Sequence, residues 1–269
     1  MTETYAEFIK NGLTLASEIA ISHAQHLDNI EVKDGDNNQV LTSADIAIAK
    51  FLIAEVSKTY PSHNIIDEEA GVIDNGSNLT WVIDPIDGTS NYAAGLPTYC
   101  IMLGLLEGGK PVAGGIALPA TREILIAEVG KGTHLGDKRL FVTKETELKN
   151  VLVSYGIDGH PENAEITTEE LSVLAMILPA IRNLRANNSC YDVALVARGQ
   201  YGAWINRYTK IWDNVAAQVV MEEAGGVYTD FFGQPIDYSN PLEKANENFT
   251  LCTAAPELHR QLQSIIHST

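Results

Sequence analysis

The stretch Trp81-Val82-Ile83-Asp84-Pro85-Ile86-Asp87-Gly88-Thr89-Ser90-Asn91-Tyr92, continuing through Gly95-Leu96-Pro97, decides how the rest of the chain is read. Its first three residues are apolar and β-prone, and they predict a strand. Pro85 lacks a backbone N–H and disfavours helix at the residue before it, so the chain is expected to leave the strand at Asp84. Asp87-Gly88 marks a second break. The Gly88-Thr89-Ser90 run then offers consecutive N–H groups and hydroxyls of the kind a phosphate oxygen accepts from. Two carboxylates beside an anion repel it and each other, and the stretch holds no Lys or Arg. A divalent cation is the simplest neutraliser, and oxygen donors with no His or Cys nearby favour Mg2+ or Mn2+ over zinc. A strand ending in ordinary Asp-Pro and Asp-Gly turns reads the same way, so this stretch alone leaves both readings open.

Working outward, the 269-residue chain has ample material for one large α/β domain or two closely packed halves. Apolar residues make up 45% of it, and no apolar run approaches the roughly 18 to 20 residues of a membrane span. Acidic residues in Met1 to Glu7 stand where a signal peptide would be basic. Cys100, Cys190 and Cys252 are far apart and lack CxxC spacing, which predicts reduced core thiols in a cytoplasmic protein rather than disulfides or a zinc site. A formal charge of −17 argues against direct binding to nucleic acid or anionic membrane. It also repels a phosphorylated substrate unless bound cations reverse the field locally.

Along the chain, residues 3 to 27 carry apolar side chains at helical spacing, with His23 and His26 read as cations at the helix end. Lys33 to Asn38 is a polar loop that lacks the Glu of a calcium loop. Thr42 or Ser43 suits the N-cap of a second helix, which puts Asp45 in its first turn. His63 to Ile66 predicts a short strand ending in Asp67-Glu68-Glu69, a solvated loop unless a metal draws a carboxylate inward. Tyr99 to Glu107, Val112 to Leu118 and Glu123 to Gly130 predict an antiparallel meander, with a further hairpin over 132 to 140. Strands at 151 to 155 and helices at 168 to 178 and 191 to 197 follow. Asp213 precedes a helical pattern from Val215 to Ala224, where it suits an N-cap and equally a metal ligand over the helix N-terminus. Strands at 227 to 229 and 249 to 253 and a helix over 256 to 266 complete the chain.

The ordered set Thr42-Ser43-Ala44-Asp45, Asp67-Glu68-Glu69, Asp84-Pro85-Ile86-Asp87-Gly88-Thr89 and Trp212-Asp213 resembles the lithium-sensitive, metal-dependent phosphatases, above all the inositol monophosphatase family. Asn91-Tyr92, Gly95-Leu96-Pro97 and Glu222 to Val227 extend the likeness over nearly the whole chain. The resemblance implies an α/β (α+β) fold, a layered αβαβα sandwich of the sugar-phosphatase type. It also implies a single domain, with an N-terminal lobe over about 1–145 and a C-terminal lobe over about 146–269, commonly in a homodimer. Glu68, Asp84 and the Ile86 carbonyl would bind one Mg2+, and Asp84, Asp87 and Asp213 a second. Glu68 would help hold a third ion through water. Gly88 and Thr89 would present N–H groups to the phosphate, and Thr89, paired with Asp45, would orient and help deprotonate the attacking water. No covalent phosphoenzyme is required.

Departures from the family pattern fall on the acidic pair and the substrate side. Asp67 stands where the family places Gly, and Asn206 where inositol phosphatases place a Glu that contacts sugar hydroxyls. Asn187-Asn188, followed by Ser189, replaces a Gly-Ser or Gly-Thr. Asn206 and Ser189 are thus the candidate contacts to the alcohol. The expected activity is Mg2+-dependent hydrolysis of a small polyol or sugar phosphate, with inositol monophosphate foremost. Fructose 1,6-bisphosphate, histidinol phosphate, nucleotide 3′-phosphates and NADP are the alternatives. Arg207 and Lys210 are candidates for recognising a second phosphate. From other classes come a transcription-associated interaction protein and a structural metal site without turnover.

Overall fold

The computed structural model describes residues 3–24, 30–32, 40–157 and 163–268. His26, the end of the first predicted helix and the Lys33 to Asn38 loop lie outside the described residues. Thr4 and Glu7 form a reciprocal capping box that starts α1 (Tyr5–His23), and Phe8, Ile9, Leu13, Ala16 and Ala20 line its buried face. Next come β1 (Ile30–Val32), β2 (Val40–Thr42), α2 (Ser43–Thr59), β3 (Asn64–Asp67), β4 (Gly71–Ile73), β5 (Leu79–Asp87) and the single-turn α3 (Thr89–Ala93). The meander is β6 (Cys100–Glu107), β7 (Lys110–Leu118), β8 (Glu123–Glu128), β9 (Gly132–Leu135) and β10 (Lys138–Arg139). The remainder is β11 (Leu152–Gly156), α4 (Ala164–Ile177), β12 (Asn183–Arg185), α5 (Tyr191–Ala197), β13 (Ala203–Thr209), α6 (Ile211–Glu223), β14 (Val227–Thr229), β15 (Phe249–Ala254) and α7 (Pro256–Ile266).

Among the described residues the strands form an eight-stranded sheet in the order β10-β9-β8-β7-β6-β5-β3-β4 and a five-stranded sheet in the order β12-β11-β13-β15-β14, with β1 and β2 paired separately. The first sheet is antiparallel apart from the parallel β3–β5 pair. Helices α1 and α2 cover one of its faces through a core that includes Ile9, Leu13, Ile48, Leu52, Trp81, Ile101 and Leu103. On its other face, Met102, Ile116 and Leu125 share a core with Val193, Ala216 and Val220 of α5 and α6 and with Trp204 and Leu251 of the second sheet. Val173, Ile177, Leu258 and Leu262 of α4 and α7 close the far side of that sheet against Val153, Ile205 and Cys252. The order of layers is therefore αβαβα, as expected.

Three local expectations change. β5 does not end at Asp84 but runs through Pro85 to Asp87, with a register shift against β6 between Asp84 and Asp87. A bulge there leaves no ladder bond for the missing Pro N–H to make, so proline is tolerated inside the strand. The cap of α6 is Lys210, and Asp213 stands at the third helical position, where its carboxylate accepts the Lys210 N–H at 2.6 Å. Strands β4 and β12, each of three residues, were not foreseen.

The close seat of α6 on the eight-stranded sheet fixes where Asp213 lies. A Cβ built at Gly114 of β7 would stand 2.8 Å from the Cα of Ala216 and 3.0 Å from its carbonyl oxygen, backbone that cannot swing aside. Gly114→Ala is accordingly expected to destabilise the protein by about 1–3 kcal/mol. Urea titration checks this, and an unshifted midpoint would show that helix and sheet have room to spare.

Candidate active site

The ends of β3 and β5, the turn before α5 and the first turn of α6 converge between the two larger sheets. Parallel pairing sets Asp67 opposite Ile83, and the Glu68 N–H continues the ladder to the Ile83 carbonyl at 3.3 Å. Glu68 is thereby delivered beside Asp84. The neighbouring acid is occupied elsewhere: Asp67 is buried, and its Oδ1 accepts the N–H groups of Glu69 (2.9 Å) and Ala70 (2.7 Å). Of the other two acids, Glu68 acts by its charge on both Asp84 and Asp213, and Glu69 acts on Asp45.

Asp84 is 1% exposed, and its Oδ1 has no hydrogen-bond partner among the described residues. Burial pushes its carboxyl well above the usual range, and the charges of Glu68, Asp87 and Asp213 push the same way. Asp213 is raised for the same reasons, burial first and then Asp87, against the opposing Lys210 N–H bond. Asp87 is raised by burial too, less so because several donors converge on it. Its Oδ1 accepts from Ser189 Oγ at 2.5 Å and from the Cys190 N–H, with Cys100 Sγ at 3.8 Å. Carboxyls crowded in this way need a positive charge among them. One carboxylate oxygen each of Asp87 and Asp213 and the Cys190 Sγ lie within 4.8 Å of one another, so the residues fit a divalent cation.

On the other side of Ile86, the Thr89 hydroxyl lies 2.8 Å from the Ile86 carbonyl and 3.2 Å from Asp45 Oδ1. Asp45 Oδ2 accepts both the N–H (2.8 Å) and the hydroxyl (2.5 Å) of Thr42, the N-cap of α2. Burial raises the Asp45 carboxyl, and the bonds from Thr42 restrain that rise. Gly88, at φ 82°, starts α3, and a Cβ there would meet Ser189 Oγ at 2.9 Å, so this turn requires glycine on both counts.

The residues of the substrate side are largely engaged. The Ser189 hydroxyl serves Asp87, and Asn206 Oδ1 accepts the Tyr208 N–H at 2.9 Å. Asn187 Nδ2 donates to Asp192 (2.6 Å), while Asn188, at φ 49°, pairs its amide with both backbone groups of Ile157. Arg207 meets Glu169 at 3.5 Å and covers the Phe231 ring, and Lys210 Nζ donates to the Asn246 carbonyl at 3.0 Å. Two participants escaped the sequence reading. Asn91 ties Thr98 to Asn187 across the layers, at 2.8 and 2.7 Å, and Cys190 is buried as expected but stands beside Asp87 and Asp213. The Asn91-Tyr92 motif signals the first; no local pattern signals the second.

A five-layered fold of this order with an acidic group between its two larger sheets is that of a metal-dependent phosphatase. The chain belongs to the inositol monophosphatase family, whose sequence pattern matches residues 2–267. Its relatives include the fructose-1,6-bisphosphatase/inositol-1-monophosphatase of Aquifex aeolicus, 31% identical over 260 residues that cover 92% of this chain and 97% of that one. The Nus factor SuhB of Xylella fastidiosa is 29% identical over 254 residues, 94% of this chain and 91% of the relative. Among solved structures, an IMPase of Thermotoga maritima superposes with a TM-score of 0.81 at 25% identity, covering 96% of this chain and 94% of that one.

The carboxyl pKa shifts give a stability prediction. Asp84, Asp87 and Asp213 are raised in the folded chain, which therefore holds their protons more tightly than the unfolded chain does. Their contribution to stability is complete below the unfolded carboxylate range, about pH 4, and is lost as pH rises through the folded values. In EDTA, Tm should fall from these groups as pH rises from about 4 through their raised folded values, and Asp84→Asn should raise Tm at the upper end while flattening the slope. An Asp84→Asn protein less stable than wild type in EDTA at the higher pH would refute the repulsion.

Proposed function

We propose that this phosphatase hydrolyses a phosphate monoester of a small polyol, inositol monophosphate foremost, with Mg2+ as the cation and Mn2+ able to replace it. The observation that carries the reading is the unpartnered Asp84 Oδ1 amid Glu68, Asp87 and Asp213, one turn from the Asp45–Thr89 pair. Glu68, Asp84 and the Ile86 carbonyl would hold one cation, Asp84, Asp87 and Asp213 a second, and Glu68 would help hold a third. Bound there, divalent cations supply Lewis acidity, acidifying water and neutralising charge on phosphoryl and leaving oxygens.

The chain's own groups supply position and proton transfer. The Thr89 hydroxyl has one proton and two acceptors within reach, and the Ile86 carbonyl is the nearer. If that carbonyl turns to a ligand role, the proton is left to Asp45, and a Thr89 lone pair is free to accept from the attacking water. Asp45, raised by burial and steadied by Thr42, is suited to draw that proton onward. The N–H groups of Gly88 and Thr89 meet the phosphate. On the alcohol side, Asn206 Oδ1 is held by Tyr208, which leaves Nδ2 to donate to a substrate hydroxyl. With Arg207 and Lys210 both engaged, a monophosphate is favoured over a bisphosphate. The SuhB relative motivates a second reading, in which the chain also serves as a transcription-associated interaction protein.

Phosphate release is to be measured with and without Mg2+ on inositol 1-phosphate, fructose 1,6-bisphosphate, histidinol phosphate, 3′-phosphoadenosine 5′-phosphate and NADP. Inositol 1-phosphate should lead, and a bisphosphate in first place would move the assignment there. Silence across the panel would give the second reading precedence, as would an Asp84→Asn protein that loses hydrolysis yet keeps its biological role. Mg2+ at about 100 times its Kd should raise Tm by about 5–10 °C. Thr89→Ala should keep that gain while kcat drops about 10²–10⁴-fold, the usual worth of a positioned proton acceptor. A Thr89→Ala enzyme of undiminished kcat would remove Thr89 from the chemistry.

A further inference from the structure

Cys190 is the residue of this centre that the proposed Mg2+ chemistry does not use. It precedes α5, is 1% exposed, and its backbone N–H grips Asp87 Oδ1. Its Sγ lies 3.5 Å from the Asp213 carbonyl oxygen and shares with one carboxylate oxygen each of Asp87 and Asp213 a group spanning no more than 4.8 Å. Tetrahedral zinc, with bonds of about 2.3 Å to sulfur and 2.0–2.2 Å to oxygen, holds such ligand atoms about 3.6 Å apart, so the widest pair in this group has about an ångström to close, within reach of side-chain rotation. The buried Asp84, whose Oδ1 is unpartnered among the described residues, adjoins this group through Asp213, and its charge acts with those of Asp87 and Asp213. Asp87 and Asp213 are half-buried, so the group is open to an entering ion.

We propose that Cys190 makes the position bounded by Asp87 and Asp213 a site for thiophilic divalent cations, Zn2+ or Cd2+, which bind through sulfur and displace Mg2+. Hard Mg2+ gains nothing from sulfur, whereas Zn2+ and Cd2+ gain a strong bond from it. On binding, the metal–sulfur bond replaces the S–H bond and the proton passes to the buffer. The ion then holds Asp87 and Asp213 together with the Cys190 thiolate and withholds both carboxylates from Mg2+. Zinc would act as a reversible inhibitor whose grip depends on one thiol. The inference rests on the carboxylate reading of the preceding subsection, and its test separates the two.

The full-length protein, reduced and stripped of metal, is titrated with Cd2+ while the ultraviolet thiolate-to-cadmium charge-transfer band is recorded. The expected result is a band that saturates at one thiolate per chain, persists in Cys100→Ala and Cys252→Ala, and is bleached by excess Mg2+. Cys190→Ala and Cys190→Ser should abolish it. Loss of outer-shell partners alone costs about 10–100-fold in metal affinity, and loss of the direct sulfur ligand should weaken Cd2+ binding by at least about 100-fold. The thermal gain given by Mg2+ should survive in Cys190→Ala, which shows that the variant is folded and that its carboxylates still bind. A band retained in Cys190→Ala, lost instead in Cys100→Ala, or indifferent to Mg2+ would overturn the proposal. Absence of any band in a wild-type protein that Mg2+ does stabilise would overturn this inference alone, and absence of both responses would remove the carboxylate reading as well.

Discussion

Mutual repulsion among Glu68, Asp84, Asp87 and Asp213 is the constraint around which the molecule is built. Each carboxyl is delivered by a different piece of rigid structure: the end of β3, the middle and end of β5, and the first turn of α6. None can retreat without breaking a ladder or a helix, so repulsion that a loop would relieve by moving is retained. The two large hydrophobic cores on either side of the eight-stranded sheet hold that arrangement in place. A cation entering the group relieves repulsion the fold has already imposed, and little reorganisation is needed when it binds.

The same constraint explains the junction between the sheets. Asp87 lies at the end of β5, yet its Oδ1 is bonded by Ser189 and Cys190, about a hundred residues later in the chain. Asn91 makes a parallel connection to Asn187, and Glu223 at the end of α6 accepts the N–H groups of Gly130, in the turn after β8, and of Gly132, at the start of β9. These bonds fasten the substrate side to the cation side. Closeness at Gly88 and Gly114 serves that end: each is a point where a side chain would push the two parts of the site apart.

Much of this was legible because the governing signals are local. Thr42 and Asp45 read as a helix start and are one, and apolar runs separated by Gly108-Gly109-Lys110 and Pro119-Ala120-Thr121 read as a meander and form one. Asp84-Pro85 misled because proline's preference is local while the strand's continuation is decided by pairing with β3 and β6, where a bulge removes the conflict. Asp213 reads as a cap because sequence spacing cannot separate the cap from the third helical position three residues on, and only the bond from Lys210 does. Asp67 and Glu68 are adjacent acids with opposite duties, one closing its own turn and one facing Asp84. Strand alternation separates them only once the pairing is known. Cys190 was beyond reach, since its place beside Asp87 follows from layers packing together across distant parts of the chain.

What decides substrate choice differs in kind from what decides chemistry. A chain of net charge −17 admits an anion only where cations reverse the field, and that reversal acts on the phosphate whatever alcohol it carries. On the proposed function the alcohol would be met by the remaining groups, and these are mostly amides bonded to the protein: Asn187 to Asp192, Asn188 to Ile157, Asn206 to Tyr208. A glutamate in place of Asn206 would bring a further negative charge and an acceptor for substrate hydroxyls. Asn206 brings no charge, one lone pair of its oxygen takes the Tyr208 N–H, and its own N–H groups can donate. Selectivity at this face must therefore come from donor geometry and shape, and such contacts distinguish polyols by how their hydroxyls are placed rather than by charge.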